Sequence, residues 1–177
     1  DTEGQQPGVL VLDSPVLTCE GWARLKAHFG AAAQVIDCTY EAGGKPETLR
    51  APIQRIPAEA ARHPEDTERS LIFLGDYIDR GPSSRGVVER LLSDPLPGFA
   101  TVRLLGNHEE ALLDFLEGRS DGLDWLSYGG LETLMSYGVP PKGYPDTPQR
   151  AAGLRGALAR AVPQAHLALC RACTLDH

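Results

Sequence analysis

Two short stretches of this chain hold residue types that could do chemistry together. "GDYIDRG" spans 75–81 and "GNHEE" spans 106–110. The first sets Asp76, Asp79 and Arg80 behind an apolar run that stops at Gly75. A carboxylate at a strand end is a hard oxygen donor of the kind Mg and Mn prefer. An arginine offers a planar fork that matches phosphate oxygens. The second stretch adds Asn107, a neutral oxygen donor, and His108, a general acid suited to protonating a leaving group near neutral pH.

Each stretch also has a purely architectural reading. Gly75 and Gly81 permit unusual backbone angles, Pro82 stiffens the exit, and Ser83 or Ser84 caps the next helix. Asp79 and Arg80 would then be a solvated pair of small energetic weight. In the second stretch Asn107 would be an N-cap, and Glu110, three residues on, would complete a capping box. Read singly, the first stretch is balanced between the two accounts and the second favours the cap. Read together they favour chemistry. Two consecutive strand ends carry polar constellations with one helix between them, so adjacent strands would bring Asp76 and Asn107 to one rim.

The apolar pattern predicts the elements that must position these groups. "SLIFLG" (70–75) is a continuous apolar run, as in a strand covered on both faces of a parallel or mixed α/β sheet. A helix over 83–94, a strand over 99–106 and a helix over 107–118 follow. That order puts the charged residues at carboxyl ends of strands, where ligands sit in open α/β sheets. Upstream, "GVLVLD" (8–13) and "AQVIDC" (33–38) read as strands, with a helix over 19–30 between them. A helix over 47–63 is interrupted by Pro52 and Pro57. Downstream, 122–139 reads as helical with a Gly-Gly break, 144–149 as a linker and 151–173 as helical.

Composition narrows the function classes. The 177 residues suit one domain, and 42% hydrophobic with 23% charged residues is ordinary for a globular protein. A net charge of -7 argues against a general nucleic-acid or anionic-membrane surface. It leaves room for a small anionic substrate, because a metal ion can reverse the local sign. No apolar stretch approaches the roughly 20 residues of a membrane span. The polar start "DTEGQQPG" is no signal peptide, and a first residue other than Met suggests a processed chain or a fragment. Cys170 and Cys173 form a CxxC, but Cys19 and Cys38 do not supply a second zinc pair, so buried thiols in a reducing, cytoplasmic setting are expected. Neither GxxxxGK nor GxGxxG is present, which disfavours a nucleotide-binding module.

The two stretches resemble GDxxDRG and GNHE, the second and third signature motifs of the phosphoprotein-phosphatase (PPP) family of metallophosphoesterases. "WLSYGGLETLMSYGV" (125–139) is similar to the segment that follows in the bacterial Ser/Thr-phosphatase-like branch. "VPQAHLALC" (162–170) resembles the helix before that family's next strand, and the likeness covers roughly 47–169. Diadenosine-tetraphosphatase relatives share the fold but usually lack the complete "DRG" and the Glu after "GNH". The resemblance implies an α/β fold, a β-sandwich flanked by helices in an αββα arrangement. It implies that Asp76 bridges two metal ions, that Asn107 binds the second, and that His108 is the general acid oriented by Asp79. It further implies Arg80 as phosphate clamp and manganese as the divalent metal. The implied reaction is in-line attack of metal-bound hydroxide on a phosphomonoester. The implied substrate is a phosphorylated protein or a small phosphate ester, without nucleic-acid or membrane partners.

The family pattern breaks at both ends. Its first motif, GDxHG, corresponds to "YEAGGKPETLR" (40–50), where Glu41 stands for the Asp and Gly43 for the His. Asp37 is a nearby carboxylate with no histidine two residues on. Two further family histidines have no match before the chain ends in "RACTLDH". The expectation is an atypical segment 1–46 and a truncated metallophosphoesterase domain 47–177. The second sheet would be largely missing, one apolar sheet face exposed and the metal site incomplete. A reading-frame shift or gene truncation would produce this pattern. The competing expectation is a non-catalytic pseudophosphatase or truncated relic that binds phosphorylated partners through Arg80.

Overall fold

Strand β3 (Arg69–Phe73) is the reference for the site, and three other strands run parallel to it. The computed structural model describes residues 8–12, 34–36, 69–93 and 98–173, with 8–12, 34–36 and Arg69 described by backbone alone. β1 (Gly8–Leu12), β2 (Gln34–Ile36) and β4 (Ala100–Arg103) complete a sheet of order β2-β1-β3-β4. The register pairs Leu12 with both Ile36 and Phe73, and Phe73 with Arg103. All carboxyl ends therefore share one edge of the sheet. This is a mixed α/β architecture with helices beside a small parallel sheet, as the sequence resemblance implies.

Parallel neighbours need a crossover, and α1 (Ser84–Leu92) carries the chain from β3 to β4. Val87, Val88 and Leu91 on α1 are buried with Leu71 and Phe73 in one apolar cluster. Ile72 alternates to the other face of β3 and is fully buried too. The exposed apolar face expected at the sheet is therefore absent at β3, an interior strand that is apolar on both sides.

After β4 come α2 (Asn107–Glu117), α3 (Leu123–Trp125), a wide π-turn (Leu126–Gly130) and α4 (Leu131–Ser136). The expected Gly-Gly break is real: Gly129 has φ 118, and a side chain there would press on the Arg80 backbone. α5 (Pro148–Ala161) starts inside the expected linker, because Pro148 opens the helix and Thr147 caps it. Pro163 then splits the 151–173 run, since a residue before proline avoids helical angles, and α6 (Gln164–Ala172) follows. The helices expected over 19–30 and 47–63 lie outside the described residues, as do Asp37, Glu41, Gly43 and the boundary at 46.

Candidate active site

The turn after β3 is held in a conformation that its residues do not choose for themselves. Asp76, Asp79 and Arg80 have φ of 55, 75 and 57, in the left-handed region that side chains avoid. Each such residue costs on the order of 1 kcal/mol or more and persists only when the surroundings over-determine it. Glu109 supplies much of that constraint. Its fully buried carboxylate accepts hydrogen bonds from the N–H groups of Asp76 (2.8 Å), Tyr77 (2.7 Å), Ile78 (3.2 Å) and Gly106 (3.1 Å). Burial first and the Asp76 charge second raise the Glu109 pKa, against the lowering effect of its N–H donors, to about 7.

The capping expectation was displaced by one residue. Gly106, not Asn107, sits at the N-cap, and Glu109, not the exposed Glu110, reaches back to it. Ser83 occupies the N-cap of α1 without a side-chain cap bond, while Ser84 Oγ accepts from Asp79 N at 3.1 Å. The loops after β3 and β4 touch. A Cβ on Gly75 would lie 2.5 Å from Gly106 N, so glycine at this crossing lets the two strand ends meet. Tyr77 adds a tie, its hydroxyl lying 3.1 Å from Phe73 O and 2.8 Å from Leu104 O.

The two aspartates of this turn are treated differently. Asp79 is fully buried and saturated. Its Oδ2 meets His108 Nδ1 at 2.6 Å and accepts from Trp125 Nε1 at 2.8 Å, while Oδ1 accepts from Thr133 Oγ1 at 2.5 Å. Asp76 is 6% exposed, yet among the described residues its carboxylate accepts only one long bond, 3.4 Å from His108 N. A buried carboxylate so sparsely bonded is costly unless a cation or water meets it. Asp79 raises the His108 pKa through their hydrogen bond, and the Asp79 and Asp76 charges add to this, against burial and Arg80. That pairing leaves His108 Nε2 as the nitrogen not engaged with Asp79.

Arg80 is exposed and braced from the π-turn. Its N–H donates to Gly129 O (3.3 Å) and its Nε to Tyr128 O (3.4 Å). Asn107 is exposed at the start of α2, beside the buried His108. The structure thus brings together all five sequence-predicted residues, Asp76, Asp79, Arg80, Asn107 and His108, where the ends of β3 and β4 meet. It adds Trp125 and Thr133, whose signal was polar capacity within otherwise apolar helical stretches, and it gives Glu109, the Glu after "GNH", a bracing role that the sequence reading did not assign.

Asp76 and Asn107 fit a hard divalent cation by donor type, a carboxylate and an amide oxygen. Among the described residues no three His, Cys, Asp or Glu side chains converge as a metal cage. Cys170 and Cys173 are free and buried, with burial pushing their thiols up to about 12 and about 11, which fits packed thiols. No helix among the described residues is long and apolar enough to cross a membrane.

Comparison with known proteins agrees with this geometry. A stretch of 60 residues is 48% identical to "Serine/threonine-protein phosphatase 2" of Escherichia coli (strain K12), covering 34% of this chain and 25% of that protein. A stretch of 75 residues is 37% identical to "Bis(5'-nucleosyl)-tetraphosphatase, symmetrical" of Bordetella pertussis, covering 38% of this chain and 26% of that protein. The chain thus spans about a quarter of the length of these relatives. The family model described as calcineurin-like phosphoesterase matches residues 34–152, and with β3, β4 and both motifs inside that match, the chain belongs to the calcineurin-like phosphoesterase family.

Proposed function

We propose that this chain is a metal-dependent phosphomonoester hydrolase of the Ser/Thr phosphoprotein-phosphatase type, acting in the cytoplasm on a phosphorylated protein or a small phosphate ester. The observation that carries the reading is the contrast within one turn. Asp79 is saturated by His108, Trp125 and Thr133, whereas Asp76 is buried beside them with a single long hydrogen bond to its carboxylate among the described residues. The first arrangement suits a carboxylate that holds a histidine, and the second suits one that meets a cation. The complete "DRG" and the Glu after "GNH" support the phosphatase reading over a dinucleoside-polyphosphate hydrolase.

Asp76 and Asn107 would hold two divalent cations, manganese in our reading. Such ions supply charge neutralisation and an activated water for in-line attack at phosphorus. Asp37, Glu41 or a second copy of the chain would provide further donors. Arg80 clamps the phosphate oxygens, with its backbone fixed by Gly129. His108 protonates the departing oxygen through Nε2, while Asp79 fixes the ring orientation through Nδ1.

A second reading, a non-catalytic relic that binds phosphorylated partners through Arg80, draws on the absence of a three-donor cluster among the described residues. Hydrolysis of an aryl phosphate with and without Mn separates the two. The hydrolase reading predicts Mn-dependent turnover that Asp76→Asn abolishes and His108→Ala slows by about 10²-fold or more. A folded native chain no more active than these variants would leave the relic reading in its place.

A further inference from the structure

The segment after α2 contributes two side chains that meet the His108-bearing aspartate from outside both signature stretches. Thr133 is fully buried on α4, and Trp125 is buried on α3. Thr133 Oγ1 donates to Asp79 Oδ1 (2.5 Å), accepts from Asp79 N (3.0 Å) and lies 2.9 Å from Ser84 Oγ. A carboxylate only accepts, so the one hydroxyl proton of Thr133 is committed to Asp79. Trp125 Nε1 donates to Oδ2, the same oxygen that faces His108 Nδ1. With an indole N–H and a ring N–H on Oδ2 and the Thr133 hydroxyl on Oδ1, turning that carboxylate would break at least one of these bonds. Phe115, 5.1 Å from the indole between ring centroids, packs Trp125 in place.

We propose that Thr133 and Trp125 are positioning residues for the Asp79–His108 pair: they fix both oxygens of Asp79, and so set the direction in which His108 presents Nε2. This rests on the hydrolase reading for its catalytic consequence, but not for the geometry itself. The same segment braces Arg80 through Tyr128 O and Gly129 O, so one stretch of chain orients both the proposed proton donor and the proposed phosphate clamp.

The test uses the full chain and three variants. Thr133→Val keeps the shape and removes the hydroxyl, Thr133→Ser restores the hydroxyl, and Trp125→Phe removes the indole N–H. The proton NMR signal of the His108 ring N–H, assigned by its loss in His108→Gln, reads the pair directly. The expected result is a downfield, exchange-protected signal in the native chain. It moves or exchanges out in Thr133→Val and Trp125→Phe at unchanged far-UV circular dichroism, and returns in Thr133→Ser. Where turnover is measurable, kcat falls about 10–100-fold in Thr133→Val with KM little changed, as for other groups that act through a neighbour. A ring signal unchanged in both folded variants overturns the proposal. Should Thr133→Val fail to fold, Trp125→Phe alone decides by the same signal. A native chain that hydrolyses nothing counts against the hydrolase reading, while the ring signal still decides the positioning.

Discussion

Glu109 gathers four main-chain N–H groups from two loops around one buried carboxylate. Glutamine at that position would turn an amide towards some of these donors and leave them unpaired. We expect Glu109→Gln to cost about 3 kcal/mol, read from urea denaturation midpoints, because buried bonds to a charged acceptor are among the expensive ones to break. Glu110→Gln, on the exposed next residue, should change stability by less than about 0.5 kcal/mol. Equal effects at the two positions would contradict the assignment of the cap to Glu109. The sequence points to Asp76, Asp79, Arg80, Asn107 and His108 because their types announce chemistry and two strand ends repeat the theme. It misplaces the cap because Asn107 and Glu110 satisfy the spacing rule as well as Gly106 and Glu109 do. Only the approach of the β3 loop shows which glutamate has donors to collect.

β3 and β4 bring the two motifs together by letting their loops touch at Gly75 and Gly106. Gly75 has φ 99, and an added Cβ would sit 2.6 Å from Gly106 Cα, so both the backbone angle and the space demand glycine. Gly75→Ala should therefore destabilise the chain by about 3 kcal/mol, from left-handed strain plus overpacking against a neighbouring backbone. Thermal denaturation measures it, and a loss below about 1 kcal/mol would mean that the loops can part. The β3–α1–β4–α2 order is legible because each apolar run is bounded by a charge or a glycine. The extent of α5 is not, since Pro148 reads equally as the end of a linker and the first turn of a helix. The ties from Trp125 and Thr133 to Asp79 span 46 and 54 residues, and no local pattern encodes such a distance.

The helices after the motifs are joined to the site through a buried pair, Tyr137 at the end of α4 and His166 on α6, with the Tyr137 hydroxyl 2.9 Å from His166 Nδ1. Burial lowers the His166 pKa, with the Glu89 charge opposing and the Arg85 charge assisting. Below the ordinary histidine pKa of about 6.5 the unfolded chain takes up a proton that folded His166 resists. The contribution of His166 to stability is therefore fully present above that pH and is lost as pH falls through it. His166→Asn should remove this part of the pH dependence, seen by comparing melting temperatures near neutrality and about one unit below pH 6.5. An identical acid loss in both proteins would assign it to other groups. The chain carries a net charge of -7, and the calcineurin-like phosphoesterase match spans β2, β3, β4, both motifs and the segment that braces them. The central claim is that one turn holds two aspartates with opposite duties, Asp76 towards a cation and Asp79 towards His108. Electron paramagnetic resonance titration of Mn against the native chain, Asp76→Asn and Asp79→Asn tests it most directly. The account predicts that Asp76→Asn weakens Mn binding about tenfold or more while Asp79→Asn binds nearly as the native chain does. Native-like Mn binding by Asp76→Asn would contradict it.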